Sequence, residues 1–83
     1  MRSIGEVAKM LNVHTQTLRN WERQGLIRPN RIGQVRVYST YDLQRLKKIR
    51  EYSGRGIHIR GIKELLRLNG AEPVGKPENG GAA

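Results

Sequence analysis

Residues 14–27, HTQTLRNWERQGLI, have the pattern of one short helix that ends at a glycine. Leu18 and Trp21 are three residues apart, so they share one face of such a helix. Gly25 follows the last polar turn, where a helix end favours a residue that tolerates positive φ. The opposite face carries guanidinium and carboxamide groups, which pair bidentately with guanine and adenine edges in the DNA major groove. The members of this outer face are Gln16, Arg19, Asn20 and Arg23. The stretch therefore predicts a recognition helix.

Composition restricts the chain to a small domain. It has 83 residues, of which 36% are hydrophobic and 5% aromatic, so a deep cofactor cavity is not expected and we predict no cofactor. The absence of cysteine excludes disulfides and thiolate zinc sites, and two histidines are too few for a metal site unless carboxylates join them. No apolar run approaches a membrane span or a signal peptide, so we expect a cytoplasmic protein that does not enter a membrane.

The charge favours a polyanionic partner. The chain carries 16 Lys and Arg against 7 Asp and Glu, a formal charge of +9, and every basic residue except Lys76 lies in residues 1–69. Nucleic acid is the leading candidate for such a compact basic domain. The alternatives are a merely solvated basic surface, or a membrane surface, which would require a strongly amphipathic helix with bulky apolar residues.

A first helix is predicted over residues 3–11. Ser3 and Glu6 form an S-x-x-E capping box, and Asn12 tolerates the left-handed conformation that would end the helix. Helix, short turn and second helix make a helix-turn-helix. The cap of the second helix stays open between Thr15 and His14.

Trp21 also has two compatible interpretations. Its ring can lock the two helices together as a core aromatic. Alternatively, its indole N–H can donate to a phosphate from the rim of the core.

Residues 31–38, RIGQVRVY, predict a hairpin that turns at Gly33 and Gln34. Val35 and Val37 alternate with larger polar side chains, which is the period of a strand. We expect the valine face to pack inward and the other face to form a basic wing. The outward side chains of this wing are then Arg31, Arg36 and Tyr38. The alternative is a plain surface hairpin with solvated arginines.

Two further helices complete the predicted domain. Ser39 and Asp42 form a second box-like cap, and a buried stripe follows at Leu43, Leu46, Ile49 and Tyr52. The basic residues beside the stripe, Arg45, Lys47, Lys48 and Arg50, are expected to form a solvated face. Glycines at 54 and 56 make a corner around Arg55.

The last helix opens near His58 and ends at Asn69-Gly70. Its apolar face is predicted at Ile59, Ile62, Leu65 and Leu66. Arg55, His58 and Arg60 cluster at its start, where a helix N-terminus and nearby cations suit a phosphate. The alternative for His58 is a substitute helix cap.

Residues 70–83 contain four Gly and two Pro, which is typical of a disordered tail or linker. The predicted organisation is therefore a domain over residues 1–69 and a tail over residues 70–83. The predicted fold is a mostly α winged helix-turn-helix with about four helices and one small two-stranded β-hairpin wing.

The assembled pattern resembles the mercury-resistance-regulator (MerR) family of bacterial transcription regulators. The resemblance covers residues 2–68 and rests on SIGEVA at 3–8, Val13 with TLR at 17–19, ERQGLI at 22–27, Pro29, Arg31, RVYS at 36–39, DL at 42–43, RL at 45–46, Ile49, Gly56 and IKELL at 62–66. The segments around His14 and around Gly56–Ile59 look most like the heat-shock repressor branch of the family.

This resemblance implies a winged helix-turn-helix homodimer on double-stranded promoter or operator DNA. It implies groove contacts by Gln16, Arg19, Asn20 and Trp21, first-wing contacts by Arg36 and Tyr38, and second-wing contacts by Arg55 and His58. We add His14, Thr15 and Arg31 as candidate DNA contacts. The family often has two tyrosines at positions 20–21, and its long dimerisation helix does not follow Leu68. An excised domain, or a member that pairs weakly or through a protein co-regulator, is therefore expected.

Three functions are compatible with the sequence. The first is a sequence-specific transcription regulator, and the second is an excisionase-like or chromosome-anchoring DNA-binding factor. The third is a protein-interaction adaptor with incidental charge. An enzyme is not expected, because the sequence shows no nucleophile–histidine arrangement, phosphate-binding glycine loop or metal-ligand spacing.

Overall fold

The computed structural model describes residues 1–68, which form four helices and three short strands. In chain order the elements are β1 (Arg2–Ser3), α1 (Ile4–Leu11), α2 (Thr15–Arg23), β2 (Asn30–Ile32), β3 (Val35–Tyr38), α3 (Thr40–Gly54) and α4 (Ile59–Leu68). The predicted helix end at Asn69-Gly70 and the predicted tail lie outside the described residues. Within residues 1–68 no helix is long and apolar enough to cross a membrane.

The two predicted capping boxes are both present. The Ser3 Oγ accepts from the Glu6 amide at 3.2 Å, and the Glu6 carboxylate accepts from the Ser3 amide at 3.0 Å. Ser39 and Asp42 repeat the arrangement at 3.1 and 2.9 Å. Because each box satisfies two otherwise unpaired backbone donors, these residues fix where α1 and α3 begin.

The turn between α1 and α2 sets the helix-turn-helix. Asn12 ends α1 in the left-handed conformation, with φ of 57°, as predicted. His14 is the N-cap residue of α2, although its side chain makes no capping hydrogen bond within the described part of the chain. Gly25 follows the helix end with φ of 84°, and the Leu26 amide donates back to the Trp21 carbonyl at 2.9 Å. This glycine is needed because most side chains avoid positive φ.

A single apolar core joins the helices. The predicted stripes of α3 and α4 enter it through Leu46, Ile49, Ile62 and Leu66, while Leu43, Ile59 and Leu65 pack at its margin. Leu18 of α2 is fully buried and Trp21 is 7% exposed. The core therefore receives one face of each helix, and the opposite face of α2 is left to solvent.

The sheet has three strands, so the prediction of a two-stranded hairpin was incomplete. Its antiparallel order is β1-β3-β2. The extra strand, β1, pairs Arg2 with Tyr38 and Ser3 with Val37. A strand of two residues is too short to show a period in the sequence, and only the tertiary fold brings it beside β3.

The faces of the wing are reversed relative to the prediction. Tyr38 is 1% exposed and belongs to the core, whereas Val35 is 59% exposed and Ile32, its cross-strand partner, is 66% exposed. The expectation that Tyr38 lies outward with the arginines was therefore wrong. Its large ring buries more apolar surface than a valine, and Arg36 on the same face finds an acidic partner on α2.

The Tyr38 hydroxyl makes no hydrogen bond with any described residue although it is fully buried. Burial also raises the pKa of this phenol. An unpaired buried hydroxyl is destabilising, so Tyr38→Phe should leave the free energy of unfolding unchanged or raise it by about 1–2 kcal/mol. Urea denaturation measures this difference. A loss of more than about 1 kcal/mol would show that the hydroxyl has a partner in solution.

Candidate nucleic-acid interface

The exposed face of α2 carries a linked row of polar side chains. Gln16, Asn20 and Arg23 follow one another at helical spacing, and all three are exposed. The Asn20 Oδ1 accepts from the Gln16 Nε2 at 3.1 Å and also from the Arg23 Nη2. These two hydrogen bonds do not use the Gln16 carbonyl oxygen, the Asn20 amide nitrogen or the other Arg23 nitrogens. We call these three residues the α2 row.

Arg19 lies beside this row rather than in it. Its side chain is half-buried, and its Nη1 lies 3.4 Å from the Thr15 Oγ1. Thr15, Arg19 and Glu22 form a second line along α2, on the side that faces the wing. The prediction placed Arg19 with Gln16 and Asn20 on the outer face, and the structure turns it part of the way towards β3.

Glu22 connects α2 to the wing. Its Oε1 accepts from the Arg36 Nε at 2.6 Å, and its Oε2 accepts from the Arg31 Nη2 at 3.1 Å. Burial raises the pKa of Glu22, but hydrogen bonds and charge from Arg36 and Arg31 outweigh this effect and hold the pKa below its ordinary value. The two predicted wing arginines therefore lie next to α2, positioned by one carboxylate.

Sequence reasoning missed the role of Glu22. Glu22 lies in the ERQGLI segment, which carries part of the family resemblance. A single acid between two basic stretches was the available signal, because residues 19–36 contain five Arg and Glu22 is their only carboxylate. The separation of 9 and 14 residues from its partners hides the pairing from helical periodicity.

The remaining predicted contacts fall into three places. Trp21 is a core residue, which confirms that interpretation, and its contact with a phosphate stays a prediction. His14 and Thr15 border a shallow groove at the start of α2 that Lys9 also lines. Arg55 and His58 lie at the corner between α3 and α4.

At that corner both side chains have intramolecular partners. The Arg55 Nη2 donates to the Glu51 Oε2 at 2.7 Å, and both side chains are more than half exposed. The His58 Nδ1 accepts from the Arg60 amide at 3.3 Å, so the histidine acts as a weak cap of α4. Their contacts with DNA remain predictions.

The described surface is strongly basic. Residues 1–68 hold 15 Lys and Arg against 5 Asp and Glu. All five carboxylates are engaged, in the two capping boxes or with arginines. Among these residues no group of three or more His, Cys, Asp or Glu lies together as a metal site would require.

The helix-turn-helix, the exposed α2 row and the basic wing define a winged helix-turn-helix protein, a class that includes many DNA-binding regulators. Comparison with known protein families identifies the family to which this chain belongs. The MerR HTH family of regulatory proteins matches residues 2–69, and the chain belongs to this family. This is the family that the sequence pattern predicted.

Curated relatives and a solved structure agree with this assignment. A putative heat shock protein HspR from Streptomyces coelicolor is 37% identical over 67 residues, covering 78% of this chain and 44% of that protein. The HTH-type transcriptional regulator ZntR of Escherichia coli K12 is 40% identical over 70 residues, covering 82% and 50%. Both similarities support the family, and the heat-shock branch stays a prediction.

The transcription regulator PbrR691 from Ralstonia metallidurans CH34, solved with lead(II), superposes with a TM-score of 0.76. It is 33% identical and is matched over 84% of this chain and 56% of that chain. The chain thus spans about half the length of each of these three proteins.

Glu22 should make stability depend on pH in a defined direction. Its folded pKa is below its ordinary value of 4.5, so the ion pairs stabilise the fold above that pH and are lost as pH falls through the folded pKa. Glu22→Gln removes the titrating group. The difference in free energy of unfolding between wild type and Glu22→Gln should therefore shrink from pH 6 to pH 3 in urea titrations. An equal difference at both pH values would contradict the pairing.

Proposed function

We propose that residues 1–68 bind double-stranded promoter DNA with α2 in the major groove, as the DNA-binding part of a transcription regulator. The observation that carries this proposal is the α2 row, which is exposed while the opposite face of the same helix is buried. The major groove of B-DNA admits an α-helix and displays a different pattern of donors and acceptors for each base pair.

The row has the chemistry for such contacts. Arg23 supplies guanidinium donors suited to guanine, and the two carboxamides supply the donor and acceptor pairs suited to adenine. Their hydrogen bonds to one another restrict the side chains before DNA arrives, which lowers the entropy lost on binding. Arg19, which is half-buried beside the row, would contact the edge of the major groove.

Contacts with the DNA backbone would come from the surfaces that flank α2. One of these surfaces is formed by the wing arginines. The other is the start of α2, where Lys9 and His14 border the shallow groove on the protein surface. Backbone N–H groups at a helix N-terminus bind phosphate favourably. These contacts set the position of the helix on the duplex without reading sequence.

A homodimer on a palindromic site completes the proposal. Two copies of α2 would then lie in successive major grooves, about 34–36 Å apart along the duplex. The family assignment supports this arrangement, since MerR regulators typically act as dimers. Selection of bound duplexes from a random pool would reveal it as a two-fold symmetric site.

Truncation of the α2 row tests the proposal. Asn20→Ala removes the oxygen that links Gln16 and Arg23, so the affinity for selected duplex should fall about 10- to 100-fold, which corresponds to about 1–3 kcal/mol. Gln44→Ala, which truncates an exposed carboxamide on α3, is the matched control and should bind as wild type. Fluorescence anisotropy with labelled duplex measures both variants. Equal affinities for the two variants would argue against base contacts by this row.

Salt dependence separates DNA binding from a protein-adaptor function. If several Lys and Arg side chains neutralise DNA phosphates, affinity for duplex should fall at least about a hundredfold between about 50 and 200 mM salt. The slope of log K against log salt gives the number of phosphate contacts. A flat slope would favour the adaptor interpretation instead.

A further inference from the structure

One carboxylate clamps both strands of the wing against α2. Arg31 lies on β2 and Arg36 lies directly opposite it on β3. Each arginine reaches a different oxygen of Glu22, at 3.1 and 2.6 Å, and the Glu22 side chain is only 23% exposed. Glu22 therefore connects α2 to both strands of the wing, in addition to the core contacts of Tyr38.

The clamp leaves phosphate-binding donors free. Arg36 donates to Glu22 through Nε, so its two terminal nitrogens have no hydrogen bond within residues 1–68. Arg31 uses one terminal nitrogen and its side chain is 44% exposed. A guanidinium held at one edge and free at the other can bind a phosphate in a fixed orientation.

We propose that Glu22 is a positioning residue for sequence-specific DNA binding, because it fixes the wing arginines in register with the α2 row. This inference rests on the function proposed above. The arrangement has an electrostatic cost, since a carboxylate beside the wing repels phosphates. Glu22 therefore lowers affinity for any duplex and raises the preference for the correct one, because base and phosphate contacts form together only when the wing is held in place.

The two effects of Glu22, lower affinity for any duplex and higher preference for the correct one, can be measured separately. A purely structural role would not produce both. Glu22→Gln removes the charge and weakens the clamp, so affinity for scrambled duplex should stay equal or rise. The ratio of affinities for selected and scrambled duplex should fall at least about tenfold. Glu22→Asp keeps the charge but is one methylene shorter. The ratio should fall for this variant also, with affinity for scrambled duplex unchanged.

A matched control separates charge from position. Glu64→Gln makes the same change in net charge at an exposed glutamate that pairs with Arg67 on α4. It should keep the wild-type ratio of affinities. Binding of the full chain to duplexes selected from a random pool, and to scrambled versions of them, is measured by anisotropy at one salt concentration. Circular dichroism melts show that each variant is folded at the assay temperature.

The outcomes are distinct. If wild type does not distinguish selected from scrambled duplex, the proposed function fails. If wild type distinguishes them and both Glu22 variants keep the ratio, the function stands and the positioning role is overturned. A parallel loss on both duplexes by folded Glu22→Gln would also overturn it. If Glu22→Gln unfolds below the assay temperature, Arg36→Lys makes the same test. This variant keeps the charge but lacks the Nε donor, so it should lower the ratio of affinities.

Discussion

Burial of Leu18 and Trp21 determines which side of α2 faces solvent. With these two side chains inside the core, helical geometry places Gln16, Asn20 and Arg23 on the outside. Burying two large apolar side chains contributes several times the roughly 1 kcal/mol that a surface hydrogen bond provides, so the core and not the polar row fixes the rotation of the helix. The candidate base contacts are thus a consequence of packing on the opposite face.

The second constraint is electrostatic and acts between elements. Glu22 joins α2 to the wing through Arg31 and Arg36 in a partly buried setting, where an ion pair is worth more than on an open surface. The segment that follows α2 is held from α3, because the Arg45 Nε donates to the Leu26 carbonyl at 2.7 Å. The helix proposed to enter the major groove is therefore positioned by the core and by polar contacts from both flanks.

Local signals in the sequence were sufficient for the helices. The boxes at Ser3 and Ser39, the left-handed Asn12 and the positive φ of Gly25 all follow from residue type and short spacing, and the structure confirms each. The wing was harder, since both of its faces carry groups that can be buried. The alternating pattern alone could not show that the face with Tyr38, rather than the face with the valines, packs against the core. Which face is buried depends on the ion pair between Arg36 and Glu22, which lies fourteen residues earlier. Strand β1 was missed for the same reason: its pairing is set by the tertiary fold.

The most direct test of this account is the position of the duplex on the protein surface. Backbone amide chemical shifts of the full chain, followed by NMR during titration with a selected duplex, report that position residue by residue. The account predicts the largest changes in α2 around Gln16, Asn20 and Arg23 and in the wing around Arg31, with small changes along the exposed basic face of α3. The largest changes around Lys47, Lys48 and Arg50 of α3, with α2 unaffected, would contradict it.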